Sequence, residues 1–250
     1  MGGSLPEMEG WDDIFDETYL RSYGPMLDDE RARTEAEGAI RLAGVEPGAA
    51  VLDCPCGFAR HAQILAGRGY RVTGSDRSQV QLDEARRRVG SSAWPRLVRA
   101  DYRALPFEDA SFDAALNLFT SLGYLDRAGD VAVLRELRRV LRPGARLVVE
   151  TMHRDRLARM YAPRAWEPLP DGSSFLQERS FDPVAGTVST THRILGGDEP
   201  VERSFVHRVY TAGEWDTMLS DAGFDERRFV GGWDEEPLSP ETRLIAVASA

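Results

Sequence analysis

The stretch V-L-D-C-P-C-G-F-A-R-H-A, Val51 to Ala62, decides the architecture. Ala50 to Asp53 is an apolar run short enough for a buried strand, and it closes on an acid. Gly57 permits a tight turn in which backbone comes close to a bound molecule. A helical pattern through His61, Ala62, Ile64 and Leu65 follows and ends at Gly67. A strand ending on an acid, a tight turn and a helix N-terminus make a ligand cradle, though a plain strand–helix connection has the same pattern. Cys54, Cys56 and His61 fit no zinc spacing, so no metal is expected. Two cysteines cannot build a disulfide framework, and a reducing, cytoplasmic setting is the expectation.

Working outward, Tyr70 to Ser75 reads as a strand and Ser78 to Val89 as a helix. Arg96 to Ala100 is a third strand, and Ser111 to Phe119 a fourth in which Phe112, Ala114, Leu116 and Leu118 alternate. Val131 to Leu141 carries the helical stripe Val133, Leu134, Leu137, Val140, Leu141, with Pro143 and Gly144 as its stop. Arg146 to Glu150 is a fifth strand. Only a short polar crossover fits between the third and fourth. This pattern predicts a mostly parallel sheet with helices on both faces. Ligands then bind at the carboxyl ends of the strands: Asp53, Ser75–Asp76, Asp101, Asn117 and Glu150–His153.

Upstream, residues 1–10 read as frayed, Trp11 to Tyr23 as an aromatic, acidic helix and Leu27 to Leu42 as a polar helix. After His153 the pattern becomes three long strands, Phe175 to Phe181, Val188 to Leu195 and Val201 to Tyr210. The turns D-P-V-A-G and G-G-D-E-P separate them, predicting an antiparallel meander. Val201, Arg203, Phe205, His207 and Val209 share one of its faces, and His192 shares a face with Val188, Thr190 and Ile194. Thr211 to Ala222 returns to helix, and Arg228 to Trp233 and Arg243 to Ala248 are closing strands.

Composition removes several classes. The net charge of -10 opposes sequence-independent nucleic-acid binding. The runs Arg86–Arg88 and Arg138–Arg139 read as solvated helix faces. No apolar run reaches the roughly 18 residues of a membrane span. The acidic, polar start carries no secretory pattern. All 31 basic residues are arginine and Asn117 is the one asparagine, as expected of a GC-rich bacterial genome.

Two further strand ends carry chemistry. Asp76, in V-T-G-S-D, can accept both hydroxyls of a ribose, or cap the helix that starts near Ser78. Asp101, in A-D-Y-R-A-L-P-F, can accept an adenine amino proton under the Tyr102 ring, or simply start a turn. Pro55 and Ala59 stand where a dinucleotide fingerprint has glycine, which weakens a nicotinamide-binding reading.

Together with F-D-A-A-L-N-L-F-T-S-L-G-Y-L and L-R-P-G-A-R-L-V-V-E, these segments resemble the class I S-adenosylmethionine (SAM) methyltransferase family. The resemblance is close over Val51 to Glu150 and looser elsewhere. It implies an α/β fold: a Rossmann-like, doubly wound, seven-stranded, mostly parallel sheet with an antiparallel β-meander insert. It divides the chain into a helical lid (1–45), a SAM-binding core (46–162), an insert that is a substrate cap or dimer surface (163–211) and a completion of the core (212–250). By resemblance, Asp53, Cys54, Pro55, Cys56, Gly57 and Ala59 surround the methionine part of SAM. Asp76, with Arg77 beside it, meets the ribose. Asp101 and Tyr102 meet the adenine, Asn117 and Leu118 lie between methionine and substrate, and Tyr19 and Tyr23 close over the donor. Pro55 lacks an N–H and Ala59 adds a methyl, both departures from the family's glycines. N-L-F-T lacks the N-P-P-Y of enzymes acting on bases or glutamine side chains. The expected reaction is methyl transfer to an O, N or C nucleophile of a small molecule, giving S-adenosylhomocysteine (SAH). His153, past the fifth strand, is the first candidate base, and Tyr210 and His207 are the others. A non-catalytic SAM-binding protein of the same fold is the alternative.

Overall fold

The computed structural model describes residues 14–196 and 201–250. The expectations for residues 1–10, for the start of the first helix at Trp11 and for the G-G-D-E-P turn beyond Gly196 lie outside the described residues. The first half comprises α1 (Glu17–Tyr23), α2 (Asp29–Ala43), β1 (Ala50–Asp53), α3 (Arg60–Gly67), β2 (Arg71–Asp76), α4 (Gln79–Val89), β3 (Arg96–Arg99) and β4 (Phe112–Asn117). Then come α5 (Arg127–Val140), β5 (Leu141–Thr151), α6 (Arg154–Met160), β6 (Arg164–Pro168), β7 (Ser174–Asp182), β8 (Thr187–Leu195) and β9 (Val201–Arg208). The chain closes with α7 (Ala212–Asp221), β10 (Arg227–Val230) and β11 (Leu244–Ser249).

One sheet has the order β10-β11-β5-β4-β1-β2-β3, with β1 to β5 parallel and β11 antiparallel to both its neighbours. The order reverses at β1, where Val51 pairs with Val72 on one side and Ala114 on the other. Successive residues feed opposite faces. Val51, Ala114 and Leu116 pack with Ala36, Ala39, Leu42, Ala62 and Leu65 of α2 and α3. Leu52 and Ala115 pack with Leu134, Leu137, Trp215 and Met218 of α5 and α7. A sheet covered on both faces explains why its strands read as continuous apolar runs. Side chains cap the helices: Ser78 for α4, Asp126 for α5, and a Thr211–Glu214 capping box for α7.

The segment 154–168 departs from expectation. It forms α6 and then β6, which makes the second sheet four-stranded, β6-β7-β8-β9, rather than a three-stranded meander. The seven-residue α6 fully buries only Leu157, and the edge strand β6 leaves Trp166 78% exposed. Neither offers an apolar period to read. Pro143 and Gly144 are not the helix stop: α5 ends at Val140, and both residues lie inside β5, where its pairing with β4 shifts register.

Strand pairing places Phe175, Gln177, Arg179 and Phe181 of β7 opposite Ile194, His192, Thr190 and Val188 of β8. These stand opposite Val201, Arg203, Phe205 and His207 of β9. This face turns toward the first sheet. A buried link fixes the approach. Tyr210 donates to Asp130 Oδ2 (2.6 Å), Gly123 N donates to Asp130 Oδ1 (3.2 Å), and Arg208 N donates to Gly123 O (2.6 Å). Gly123 has φ +108°, and a Cβ there would lie 2.4 Å from Arg208 O. Gly123→Ala is therefore expected to lower unfolding free energy by about 1–3 kcal/mol. An unchanged urea midpoint would show that the loop moves aside freely.

Candidate active site

A cavity of about 450 Å³ joins the carboxyl ends of β1, β2 and β4 to the inner face of the second sheet. On the core side its wall comprises Cys54 to Phe58, Ser75 to Ser78, Ala100, Tyr102 and Leu118 to Ser121. Gly57 N donates to Asp76 Oδ2 and Ser78 N to Asp76 Oδ1, each at 2.8 Å. Asp76 thus braces the β1–α3 turn while Ser78 is the cap of α4. Arg77 and both cysteines also line the cavity, and burial raises both thiols.

Four of the residues expected around a cofactor stand off the wall. Asp53 lies beneath the turn, 1% exposed, and neither oxygen has a hydrogen-bond partner at normal distance. Burial raises its pKa to about 7, with Arg60 opposing and Asp76 adding. Asn117 is buried; its Nδ2 donates to Cys54 O (2.8 Å), tying β4 to the turn. Ala59, at φ 62°, adopts the left-handed conformation that favours glycine, and its methyl packs into the core. Asp101 is held by Arg103, through the backbone N (2.9 Å) and Nη2 (2.6 Å), while its neighbours Ala100 and Tyr102 face the cavity.

The opposite wall is aromatic. Tyr19 and Tyr23 of α1 stack at 4.7 Å between ring centres, and burial raises both hydroxyls, Tyr23 to about 12. Tyr23 and His192 Nε2 lie 3.3 Å apart, and the His192 ring meets Phe175 and Phe205 edge-on. Of the three proton acceptors expected from the sequence, only His207 lines the cavity. Its Nδ1 is buried without a partner. Burial first, and the charge of Arg179 second, lower its pKa to about 4, so the ring is neutral at pH 7. His153 is 2% exposed with Nε2 3.2 Å from Thr242 O, and Tyr210 is committed to Asp130.

Sequence reasoning missed a buried ion cluster beside the turn. Glu35 of α2 accepts from Arg31 Nε (2.8 Å) and from Arg60, and pairs with His61 Nε2 at 2.8 Å. Burial would raise its pKa, but these partners outweigh it and hold the carboxyl well below the usual range. Arg31, Arg60 and His61 line the cavity, and Arg60 Nη2 is buried without a partner. The available signal was the position of Glu35 within the inward stripe Ala32, Ala36, Ala39, Ala43. Phe119, Tyr124, Gln177, Arg179, Arg156 of α6 and the residue that follows that helix, Tyr161, were likewise unassigned and line the cavity. Among the described residues no group of three or more His, Cys, Asp or Glu is placed to hold a metal, and no helix is long and apolar enough to cross a membrane.

A doubly wound sheet with its cavity at the strand-order reversal, an acid after β2 and a glycine turn after β1 defines a nucleotide-type cofactor fold. Comparisons with known proteins narrow the class. Residues 51–144 match the family model described as "Methyltransferase domain". Demethylmenaquinone methyltransferase of Beutenbergia cavernae is 33% identical over 192 residues, 76% of this chain and 72% of that protein. The 2-phytyl-1,4-naphtoquinone methyltransferase of Synechococcus elongatus is 41% identical over 124 residues, 46% of this chain and 51% of that protein. The match thus spans about half of that relative. The structure of the CcbJ methyltransferase from Streptomyces caelestis superposes with a TM-score of 0.78 at 22% identity, covering 95% of this chain and 98% of that one. The chain belongs to the class I SAM-dependent methyltransferase family, whose methyl donor is S-adenosylmethionine.

The raised pKa of Asp53 has a testable sign. Its favoured neutral form contributes stability that is complete below the unfolded value of about 3.9 and lost as pH rises through about 7. Asp53→Asn, a permanent mimic of the neutral acid, should raise the thermal midpoint more at pH 8 than at pH 5. Equal midpoint shifts at both pH values would contradict the assignment.

Proposed function

We propose that this protein transfers a methyl group from SAM to a nucleophile of a small molecule held between the core and the second sheet. The continuity of the cavity from the β1–α3 turn to the His207 face carries this reading. The residues fit the donor. The Asp76 carboxylate suits the ribose hydroxyls, Tyr102 suits the adenine face, and Arg77 lies beside them. Cys54 to Gly57 and Leu118 would surround the methionine portion. Arg60, with its buried, unpartnered Nη2, would take the methionine carboxylate. Asp53 and Asn117 would act from below the turn, Ala59 would set its geometry, and Asp101 would hold the Tyr102 loop. We read α1 as a lid, with Tyr19 and Tyr23 on its inner face, and the second sheet as a substrate cap. The buried, unpaired thiols of Cys54 and Cys56 favour a cytoplasmic setting.

The donor supplies an electrophilic methyl on a sulfonium; the nucleophile forms the new bond to carbon while the C–S electrons return to sulfur. The protein's share is alignment, worth up to about 7–11 kcal/mol in such reactions, and removal of the acceptor proton. His207 is the residue suited to that proton. It is neutral at pH 7, and its Nδ1 lacks a protein partner. On this reading His207→Ala lowers turnover at least tenfold with SAH affinity unchanged, whereas His153→Ala stays within twofold. Calorimetry with SAH and steady-state kinetics check both; the reverse order would reassign the base. Asp76→Ala should abolish micromolar SAM binding, and retained affinity would remove the ribose assignment.

A further inference from the structure

The protein is acidic, with a net charge of -10, yet its cavity is not. Among the described residues the wall carries six arginines, at positions 31, 60, 77, 156, 179 and 243, and one carboxylate, Asp76. Arg31 and Arg60 share Glu35, and Arg243 pairs with Glu150. Arg179 and Arg156 differ. Arg179 donates to Gln177 Oε1 and Arg156 Nε to Glu241 O, and no carboxylate pairs with either. Both lie on the acceptor side, Arg179 on the inner face of β7 and Arg156 on α6. A half-buried cation without a counterion is costly to maintain, and a ligand anion would offset that cost.

We propose that the methyl acceptor is an anion, a planar aromatic hydroxy acid whose carboxylate is bound by Arg179, with Arg156 adding charge at the mouth. Tyr23, Tyr124 and Phe205 supply ring faces and edges for the aromatic part. Thr190 stands opposite both Arg179 and Phe205. Sheet spacings put the Cα atoms of Arg179 and His207 roughly 12 Å apart, a gap that their side chains and one ring can fill. The hydroxyl then faces His207 and its proton goes to that ring, as the oxygen takes the methyl and SAH leaves neutral at sulfur. An ammonium acceptor is disfavoured because, among the described residues, no carboxylate lines this half of the wall. Arg179 also helps to keep His192 and His207 neutral, after burial, so an anion on Arg179 would make both rings stronger bases.

This inference rests on the methyl-transfer reading, and the experiment separates the two. SAH binding by the parent protein is measured first; its failure at millimolar ligand removes the methyltransferase reading itself. The SAH-loaded protein is then titrated with 4-hydroxybenzoate, its neutral isostere 4-hydroxybenzamide, and tyramine. The expected result is at least tenfold tighter binding of the benzoate than of the amide. That preference should fall within twofold in Arg179→Met and largely return in Arg179→Lys, with SAH affinity unchanged in both as the control for folding. Equal or tighter binding of the amide or of tyramine overturns the proposal. So does no benzoate binding at millimolar concentration to SAH-loaded parent, or an undiminished preference in Arg179→Met.

Discussion

The buried carboxylate of Glu35 holds together the parts that shape the cavity. It gathers Arg31 from its own helix and Arg60 and His61 from the first turn of α3. All of Glu35, Arg60 and His61 are at most 6% exposed. In that setting the removal of one partner leaves an uncompensated buried charge, a loss of several kcal/mol in comparable pairs. The cluster extends beyond its ion pairs. The guanidinium carbons of Arg60 and Arg31 lie 5.0 and 5.3 Å from the centre of the Phe119 ring. Cation–π attraction therefore links α2, the N-terminus of α3 and the loop after β4. Burial also keeps His61 neutral, its pKa lowered to about 4 despite the adjacent acid.

The α1 segment bridges the second sheet and the core. Tyr23 and Met26 pack on Leu169, Phe175 and Ile194. Arg21 pairs with Asp171, and Arg203 with Asp16. On the core side Ser78 Oγ and Gln81 Nε2 both donate to Phe15 O, and the Phe15 and Tyr23 rings meet Tyr124 and Phe119. The aromatic wall is thus assembled from two segments far apart in sequence, and the polar wall from the ends of parallel strands. The two walls thus come from different layers of the fold around one cavity.

Much of the strand-end wall of the cavity was legible because it depends on local sequence. Gly57 and Asp76 sit at strand ends, and strand ends follow from apolar runs and turn residues. The face sharing of His192 and His207 with their neighbours followed from the two-residue period of a strand. Asp101 and Asn117 were placed at the correct strand ends, but their side chains are turned by Arg103 and by the Cys54 carbonyl. A strand end specifies a location to within a residue; which of two neighbours faces the cavity is set by the turn that follows. His153 shows the same limit. It lies just past β5, yet packing against Thr242 removes it from the wall. The 154–168 segment was illegible because α6 is one short polar helix and β6 an edge strand with solvent on one side.

The amino-acid sequence by itself determined the mostly parallel sheet with helices on both faces and the acid–glycine turn at the end of β1, because periodicity and turn chemistry act within a few residues; the reversal of strand order at β1 came from the pairing. Only the tertiary structure decided that His61, His192 and His207 line the cavity while His153 does not, which acid of α2 is buried, and which wall arginines lack a carboxylate partner among the described residues. Those outcomes depend on contacts between separate elements, such as Glu35 of α2 with Arg60 and His61 of α3 and His207 of β9 with Arg179 of β7. The burial and the charges that meet at such crossings set the protonation of His207 and, among the described residues, leave Arg179 without a carboxylate partner.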